Sequence, residues 1–316
     1  MKLSVIMPVY NAAATLSRSL ESIKAQTFKD FEVVFVDDCS TDETSRMLEE
    51  FKELSGLPCK IVRHAVNQGV AAARNTALEN AEGKYLAFVD ADDVIEPNAF
   101  EVALANEADI VGWDWTLGFE KNGRYMRQAD YSTPMEAVKN LMGGTMRWNL
   151  WLFIYRRELI ENHNIRFTAG DNMGEDMMFT ISAFLVANKV KQIHQSLYNY
   201  NAVNNSSISK QFTEQRRNEV EANFKKVEAL ATSEELKPNL EYLKLFIKLP
   251  LLISDEKSNY ETWYNWFPES NAYAMANKAL PLRTRLLQWM ASKRFFVGVK
   301  FYYIFVYKFV YGVIYR

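Results

Sequence analysis

The chain has 316 residues, 48% of them apolar, enough to bury a sizeable core in one large domain or a domain with an appendage. Its 37 Lys and Arg against 39 Asp and Glu give a formal charge of -2, which excludes the basic excess of a nucleic-acid-binding protein. Two isolated cysteines, Cys39 and Cys59, lack metal-ligand spacing and suit a reducing compartment without a disulfide.

Leu3–Val9 is a nearly continuous apolar run, as expected of a strand buried on both faces, and is too short for a signal peptide or a membrane span. Leu16, Leu20 and Ile23 mark one face of a helix, and Phe31–Val36 the second strand. Ser40 with Glu43 three residues on predicts a capping box opening a helix whose apolar face is Met47, Leu48, Phe51 and Leu54. Lys60–Arg63 reads as a strand, Ala71–Glu79 as a small-residue helix, Tyr85–Val89 and Ile110–Trp115 as further strands. This rhythm predicts an α/β fold, a mainly parallel sheet with helices on both sides. After Trp115 it breaks. Asn122-Gly123 signals a hairpin, Pro134–Leu141 a helix, Trp151–Tyr155 a strand, Glu175–Ala187 a helix, and Val190–Ile193 and Leu197–Tyr200 two short strands. From Phe212 the pattern is helical.

Ligands of such sheets bind at the carboxyl ends of the strands. There the sequence places Pro8-Val9-Tyr10-Asn11, Asp37-Asp38 and Asp90-Ala91-Asp92-Asp93. A single Asp at such a place is an ordinary turn or cap residue, and Asp42 is read that way. Five carboxylates at one sheet edge repel one another unless a cation or a donor-rich ligand lies among them. Hard divalent cations, Mg2+ or Mn2+, take one or two carboxylates plus substrate phosphates. Asp38 has the chemistry to accept a base N–H, and Arg74, behind Asn67-Gln68-Gly69, to reach a base or a phosphate. Asp176, in Gly174-Glu175-Asp176, begins a helix; its structural role is a dipole-favoured helix start, its functional one a general base on a rigid element.

Taken together and in order, Pro8–Asn11, Val36–Asp42, Asn67–Gly69 with Arg74-Asn75, Asp90–Asp93 and Gly174–Asp176 resemble the family 2 glycosyltransferases of GT-A fold, over residues 3 to about 209. The resemblance implies a metal-dependent, inverting transfer from a nucleoside-diphosphate sugar, usually a UDP-sugar, to a glycan or lipid-linked acceptor in bacterial surface-polysaccharide synthesis. It implies that Pro8 and Tyr10 hold the base, that Asp38 binds uracil with help from Arg74, and that Asp90 contacts the ribose or a nearby water. Asp92 would ligate Mn2+ or Mg2+, Asp93 would lie near the sugar hydroxyls, and Asp176 would be the catalytic base. Trp148, Trp151 and Glu175 are expected on the acceptor side. Two departures stand out: Leu152-Phe153 replaces the Asn-Lys common after that tryptophan, and the loop Ala202–Ser207 has no His to bind metal. His194 is expected to be structural. A sugar-phosphate nucleotidyltransferase is disfavoured because Asn11–Thr15 has neither Gly nor Lys to cradle a triphosphate. A phospho-acceptor receiver is far shorter, and a catalytically dead binding module of this fold would show an altered Asp92 or Asp176.

The expected organisation is a catalytic domain over 1–210, with a nucleotide-binding half to 115 and an acceptor half from 116. A helical region over 211–316 follows, with a membrane-interface tail at 283–316. Arg283, Arg285, Lys293 and Arg294 lead into the aromatic stretch Phe295–Tyr315, whose Lys300 and Lys308 disfavour a span. This pattern predicts peripheral attachment to the inner face of the cytoplasmic membrane; the competing role is packing on the protein or in a homodimer.

Overall fold

A computed structural model describes residues 1–119, 122–201, 213–254 and 256–306. The loop Ala202–Ser207 and the end of the tail from 307, both singled out by the sequence, lie outside the described residues. In chain order the elements are β1 (Leu3–Val9), α1 (Leu16–Lys24), β2 (Phe31–Asp37), α2 (Thr44–Leu54), β3 (Cys59–Arg63), α3 (Val70–Asn80), β4 (Tyr85–Phe88), β5 (Val94–Ile95), α4 (Ala99–Leu104), β6 (Ile110–Gly118), β7 (Gly123–Met126) and α5 (Pro134–Gly143). Then follow β8 (Phe153–Arg156), α6 (Arg157–Asn162), α7 (Glu175–Val186), β9 (Val190–Asn201), α8 (Glu214–Leu230), α9 (Lys237–Lys248), α10 (Lys257–Asn265), α11 (Leu282–Ser292) and α12 (Phe296–Tyr302).

Two compact units emerge. The first comprises Met1–Gly118, Gly123–Met135 and Trp148–Leu230. Its sheet has the order β3-β2-β1-β4-β8-β6-β9-β5, with β7 on β6. The pairs β1–β2, β2–β3 and β1–β4 are parallel, as the βαβ rhythm requires. The second half is mixed, because β8 inserts antiparallel between β4 and β6. The sheet is therefore less parallel than the sequence predicts, although the α/β class holds. The two short strands expected at Val190–Tyr200 are one strand, β9, irregular against β6 where Trp113 pairs Ile193 and Asp114 pairs Ser196. Each residue of β2 is buried, which explains its unbroken apolar run from Val33 to Val36.

Helix α2 starts at Thr44, not at Ser40. Asp42 Oδ1 accepts the Thr44 N–H at 3.0 Å, and Ser40 Oγ instead accepts the Asn11 N–H at 3.0 Å. The capping-box serine thus ties two loops together rather than capping a helix.

The second unit comprises Phe119–Asn122, Glu136–Arg147 and Ala231–Arg316. It packs Leu243, Leu252, Trp263, Leu287 and Val299 in its interior. Lys248 is fully buried there. Its amine donates to Trp266 O at 2.9 Å, Phe267 O at 3.1 Å and Asn271 Oδ1 at 2.7 Å, and lies 4.2 Å from the Trp263 ring centre. Burial pushes that amine down to about 7. No helix among the described residues is long and apolar enough to cross a membrane.

Candidate functional site

The carboxyl ends of β1, β2 and β4 converge, held by loop-to-loop bonds. Asn11 turns the chain after β1 at φ 46°, a conformation Asn tolerates better than most residues. Its Oδ1 accepts the Thr41 N–H at 2.8 Å, and Asp42 Oδ2 accepts the Ala13 N–H at 3.1 Å. Asp42 therefore staples the first two loops, in keeping with its reading as a turn residue. Beside them the Tyr10 ring stands 52% exposed, available to stack on a flat ligand.

Asp38 is buried at the end of β2. Its Oδ1 accepts the Gln68 N–H at 2.9 Å and faces His64 Nδ1 at 2.7 Å; its Oδ2 accepts the Gly69 N–H at 2.8 Å. Oδ2 keeps lone-pair capacity for one further donor. With Nδ1 protonated toward the carboxylate, His64 Nε2 accepts from the Thr76 hydroxyl at 2.9 Å. Gly69 sits at φ 86°, and a Cβ there would lie 2.5 Å from the Asn172 amide, so only glycine fits the start of α3. His64, Thr76 and Asn172 were not singled out from the sequence. The signal available for His64 was its place one residue beyond β3, at the carboxyl edge of the sheet where ligands of such folds bind.

Arg74, on α3, is 5% exposed and lies among three carboxylates. Its Nη1 is 2.8 Å from Glu175 Oε1 and 2.8 Å from Asp176 Oδ1, and Nη2 is 3.7 Å from Asp90 Oδ1. The guanidinium also lies over the Phe167 ring, 5.5 Å from its centre. Arg74, expected to help hold a base, bridges the end of β4 to the start of α7 by its charge. Glu175, expected on the acceptor side, is likewise buried and turned onto Arg74.

An aromatic cluster sets the spacing of these two ends. Phe88, the last residue of β4, packs 5.6 Å edge-on from Phe179 on α7; Phe179 stacks on Phe167 at 4.6 Å and meets Tyr155 edge-on at 5.4 Å. The Tyr155 hydroxyl meets Thr180 Oγ1 at 2.9 Å, and Thr180 Oγ1 donates to Trp148 O at 2.8 Å. Asp90 is two residues beyond Phe88 and Asp176 three before Phe179, so the fully buried rings fix both carboxylates. Trp148 is half-buried. Trp151 is 3% exposed, stacked 4.4 Å from Tyr198 and 5.7 Å from Tyr200, with Trp115 edge-on at 5.2 Å. Its ring, expected on the acceptor side, is packed among these aromatic side chains.

Asp93 is fully buried as well. Its Oδ2 accepts from the Tyr198 hydroxyl at 2.9 Å and its Oδ1 from the Asn201 N–H at 2.7 Å, while Tyr198 Oη accepts the Asp90 N–H at 3.1 Å. Asp93, expected near the sugar hydroxyls, ties β9 to the acidic loop. Asp90 and Asp92 remain partly exposed. Burial pushes the Asp90 carboxyl up to about 7; Arg74 opposes the rise, and Asp176 and Asp92 add to it. Burial, then Asp176, pushes Glu175 up to about 8 against the pull of Arg74. Burial, then Asp90 and Asp92, raises Asp93 well above the usual carboxylate range. One guanidinium thus leaves this cluster short of positive charge. Half-exposed carboxylate oxygens with unmet negative charge fit a hard divalent cation. Among the described residues, no three His, Cys, Asp or Glu side chains form a metal cluster, so such an ion would need ligands from a bound molecule.

His194 lies away from this cluster. Its Nδ1 meets the buried Asp114 at 3.0 Å, and its Nε2 meets Asp130 Oδ1 at 2.5 Å, joining β9 to β6 and to the chain after β7.

Comparison with known proteins adds identity to this geometry. The chain is 29% identical to the glycosyltransferase YibD of Escherichia coli (strain K12) over 285 residues, 85% of this chain and 74% of that one. It spans 62% and 60% of the next two curated relatives. Its fold matches the crystal structure of TarS 1-349 from Staphylococcus aureus in complex with UDP-GlcNAc, with a TM-score of 0.72 and 23% identity over 100% of this chain and 93% of that one. It also matches the mannosyltransferase PcManGT of Pyrobaculum calidifontis in complex with GDP-Man and Mn2+, with a TM-score of 0.58 and 19% identity over 98% and 87% of the two chains. The family model for glycosyl transferase family 2 matches residues 4–179, from the first strand to the turn of α7 that carries Asp176, and the chain belongs to that family.

Proposed function

We propose that this glycosyltransferase moves a sugar from a UDP-sugar to a hydroxyl of a glycan or lipid-linked acceptor, with inversion, in the assembly of a bacterial surface polysaccharide. The observation that carries the reading is the Arg74 bridge, which holds the acidic end of β4 and Asp176 in one constellation. Tyr10 stacks on the base beside Pro8, and Asp38 Oδ2 accepts its N3–H. That TarS is crystallised with UDP-GlcNAc supports a uridine donor, and its acceptor, poly(ribitol phosphate), supports a surface polymer.

In the reaction, Asp176 takes the proton from the acceptor hydroxyl as its oxygen attacks the anomeric carbon. The new C–O bond forms opposite the bond to the diphosphate, which breaks with its electron pair and leaves as UDP. One displacement inverts the centre, and no covalent nucleophile is needed. Asp92, with Asp90 beside it, would hold Mn2+ or Mg2+, which when bound neutralises charge on the departing diphosphate; PcManGT with Mn2+ supports this. Arg74 and the Leu150 N–H, 3.4 Å from Asp176 Oδ2, orient the base. Glu175 and Asp93 position rather than touch substrate.

Asp176→Asn tests the assignment. Turnover should fall roughly 10²–10⁴-fold, with UDP affinity by calorimetry unchanged. A parallel collapse of UDP binding would make Asp176 a donor-site or structural residue.

A further inference from the structure

The second unit carries a feature that sugar transfer does not use. Residues 270–316 hold eight Lys and Arg and no Asp or Glu, in a chain whose net charge is -2. Residues 1–269 therefore carry ten more acidic than basic side chains, and the charge asymmetry is strong.

Within this basic segment, apolar side chains face outward. On α11, Leu282, Leu286 and Trp289 are 54%, 41% and 43% exposed at spacings of four and three residues, one stripe of a helix. The opposite face, with Leu287 and Ala291, is buried. Phe296 and Val299 anchor α12, while Val297 and Phe301 are 77% and 70% exposed, and Ile304 and Phe305 continue outward beyond it. Gly298 lets this turn close on α11: a Cβ there would lie 2.5 Å from the Phe295 ring and 2.9 Å from Met290 Sδ. The result is an open apolar groove of about 450 Å³ between Met290, Phe295, Val297, Phe301 and Phe305. Arg283 on α11, Lys300 on α12 and Lys293 between them are exposed. Arg294 is not part of this charge, being paired to Glu261 at 2.7 Å.

Contiguous outward apolar groups mark an interaction surface. Charge selects the occupant. A second copy would bring the same acid-free basic segment against itself. An anionic bilayer offers the complementary charge, an interface that suits Trp and Phe, and headgroups that lysine stems reach by extending along apolar surface. We propose that the outward face of α11, α12 and Ile304–Phe305 is a docking surface for anionic lipid, by which the protein binds a membrane peripherally.

Flotation of the full chain with vesicles tests this. The protein should float with phosphatidylcholine vesicles containing about a third phosphatidylglycerol, and should stay behind with phosphatidylcholine alone. The double variant Val297→Asp, Phe301→Asp should lose flotation while its circular dichroism is unchanged, since both side chains are exposed. The triple variant Arg283→Gln, Lys293→Gln, Lys300→Gln should bind roughly a hundredfold more weakly. Brominated acyl chains should quench Trp fluorescence in the wild type and much less in Trp289→Phe. Absence of flotation with the anionic vesicles, or equal flotation of either variant, overturns the proposal. So does a wild-type dimer in size-exclusion chromatography that Phe301→Asp splits while lipid binding is absent, which would make the face a self-association surface.

Discussion

Replacing Arg74 by Met removes the cation shared by Asp90, Glu175 and Asp176. The guanidinium is 6% exposed and the Glu175 and Asp176 carboxylates 11% and 17%, so solvent replaces little of the lost interaction. Leaving a buried ion pair without one partner costs about 3–5 kcal/mol. For a unit of this size that lowers the melting temperature by roughly 6–20 °C. The loss must depend on pH. Glu175 and Asp90 already hold their protons up to about 8 and about 7, against ordinary values of 4.5 and 3.8. Between those limits the folded state binds protons that the unfolded state has released, so stability falls as pH rises through the window. Without the guanidinium, which opposes both shifts, the carboxyls rise further and the fall steepens. Thermal unfolding in chelator at pH 5.5 and 8.0 should show a deficit for Arg74→Met that is larger at pH 8.0. Arg74→Lys should lie between, keeping the charge but losing the fork. An equal deficit at both pH values, or one near zero, would refute the claim that Arg74 holds these carboxylates together.

Three further outcomes follow from the same contacts. Asp92→Asn should leave the melting curve unchanged but remove most turnover, and full wild-type activity in chelator would show that no metal is needed. His64→Phe should weaken UDP binding by roughly tenfold, by removing one charge-assisted bond on Asp38, with kcat for bound donor little changed; equal UDP affinity by calorimetry would show that Asp38 needs no such support. Phe179→Ala should cost about 3–5 kcal/mol and lower turnover as well, because its ring spaces α7 from β4; a loss of stability at unchanged kcat would separate packing from positioning.

The sheet's first half and the acidic loops at its carboxyl edge were legible because local rules and tertiary structure agree there. Burial on both faces of β1 and β2 leaves an apolar run, and polar loop residues follow where each strand ends. The directions of side chains were not legible. Arg74 lies 101 positions before Glu175, and no pattern within α3 says that its head turns to α7. Asp92 and Asp93 are neighbours of one residue type, yet one is partly open and the other is sealed by Tyr198 and Asn201. Trp151 belongs to a stack with Tyr198 and Tyr200, strand residues nearly fifty positions away, which only the pairing of β9 with β6 brings to it. Ser40 had a capping sequence, but Asp42 offered the helix start a better-placed acceptor and left the serine for Asn11.

The proposed reaction is a single displacement in which Asp176 deprotonates an acceptor and UDP departs. It is tested most directly by the configuration of the first-formed product. With the donor found by screening UDP-sugars of α configuration, the proton NMR spectrum of the initial product should show the anomeric coupling of a β-linkage, and Asp176→Asn should form none. An α-linked product would rule out single displacement, requiring a second displacement and a nucleophile that this site does not assign.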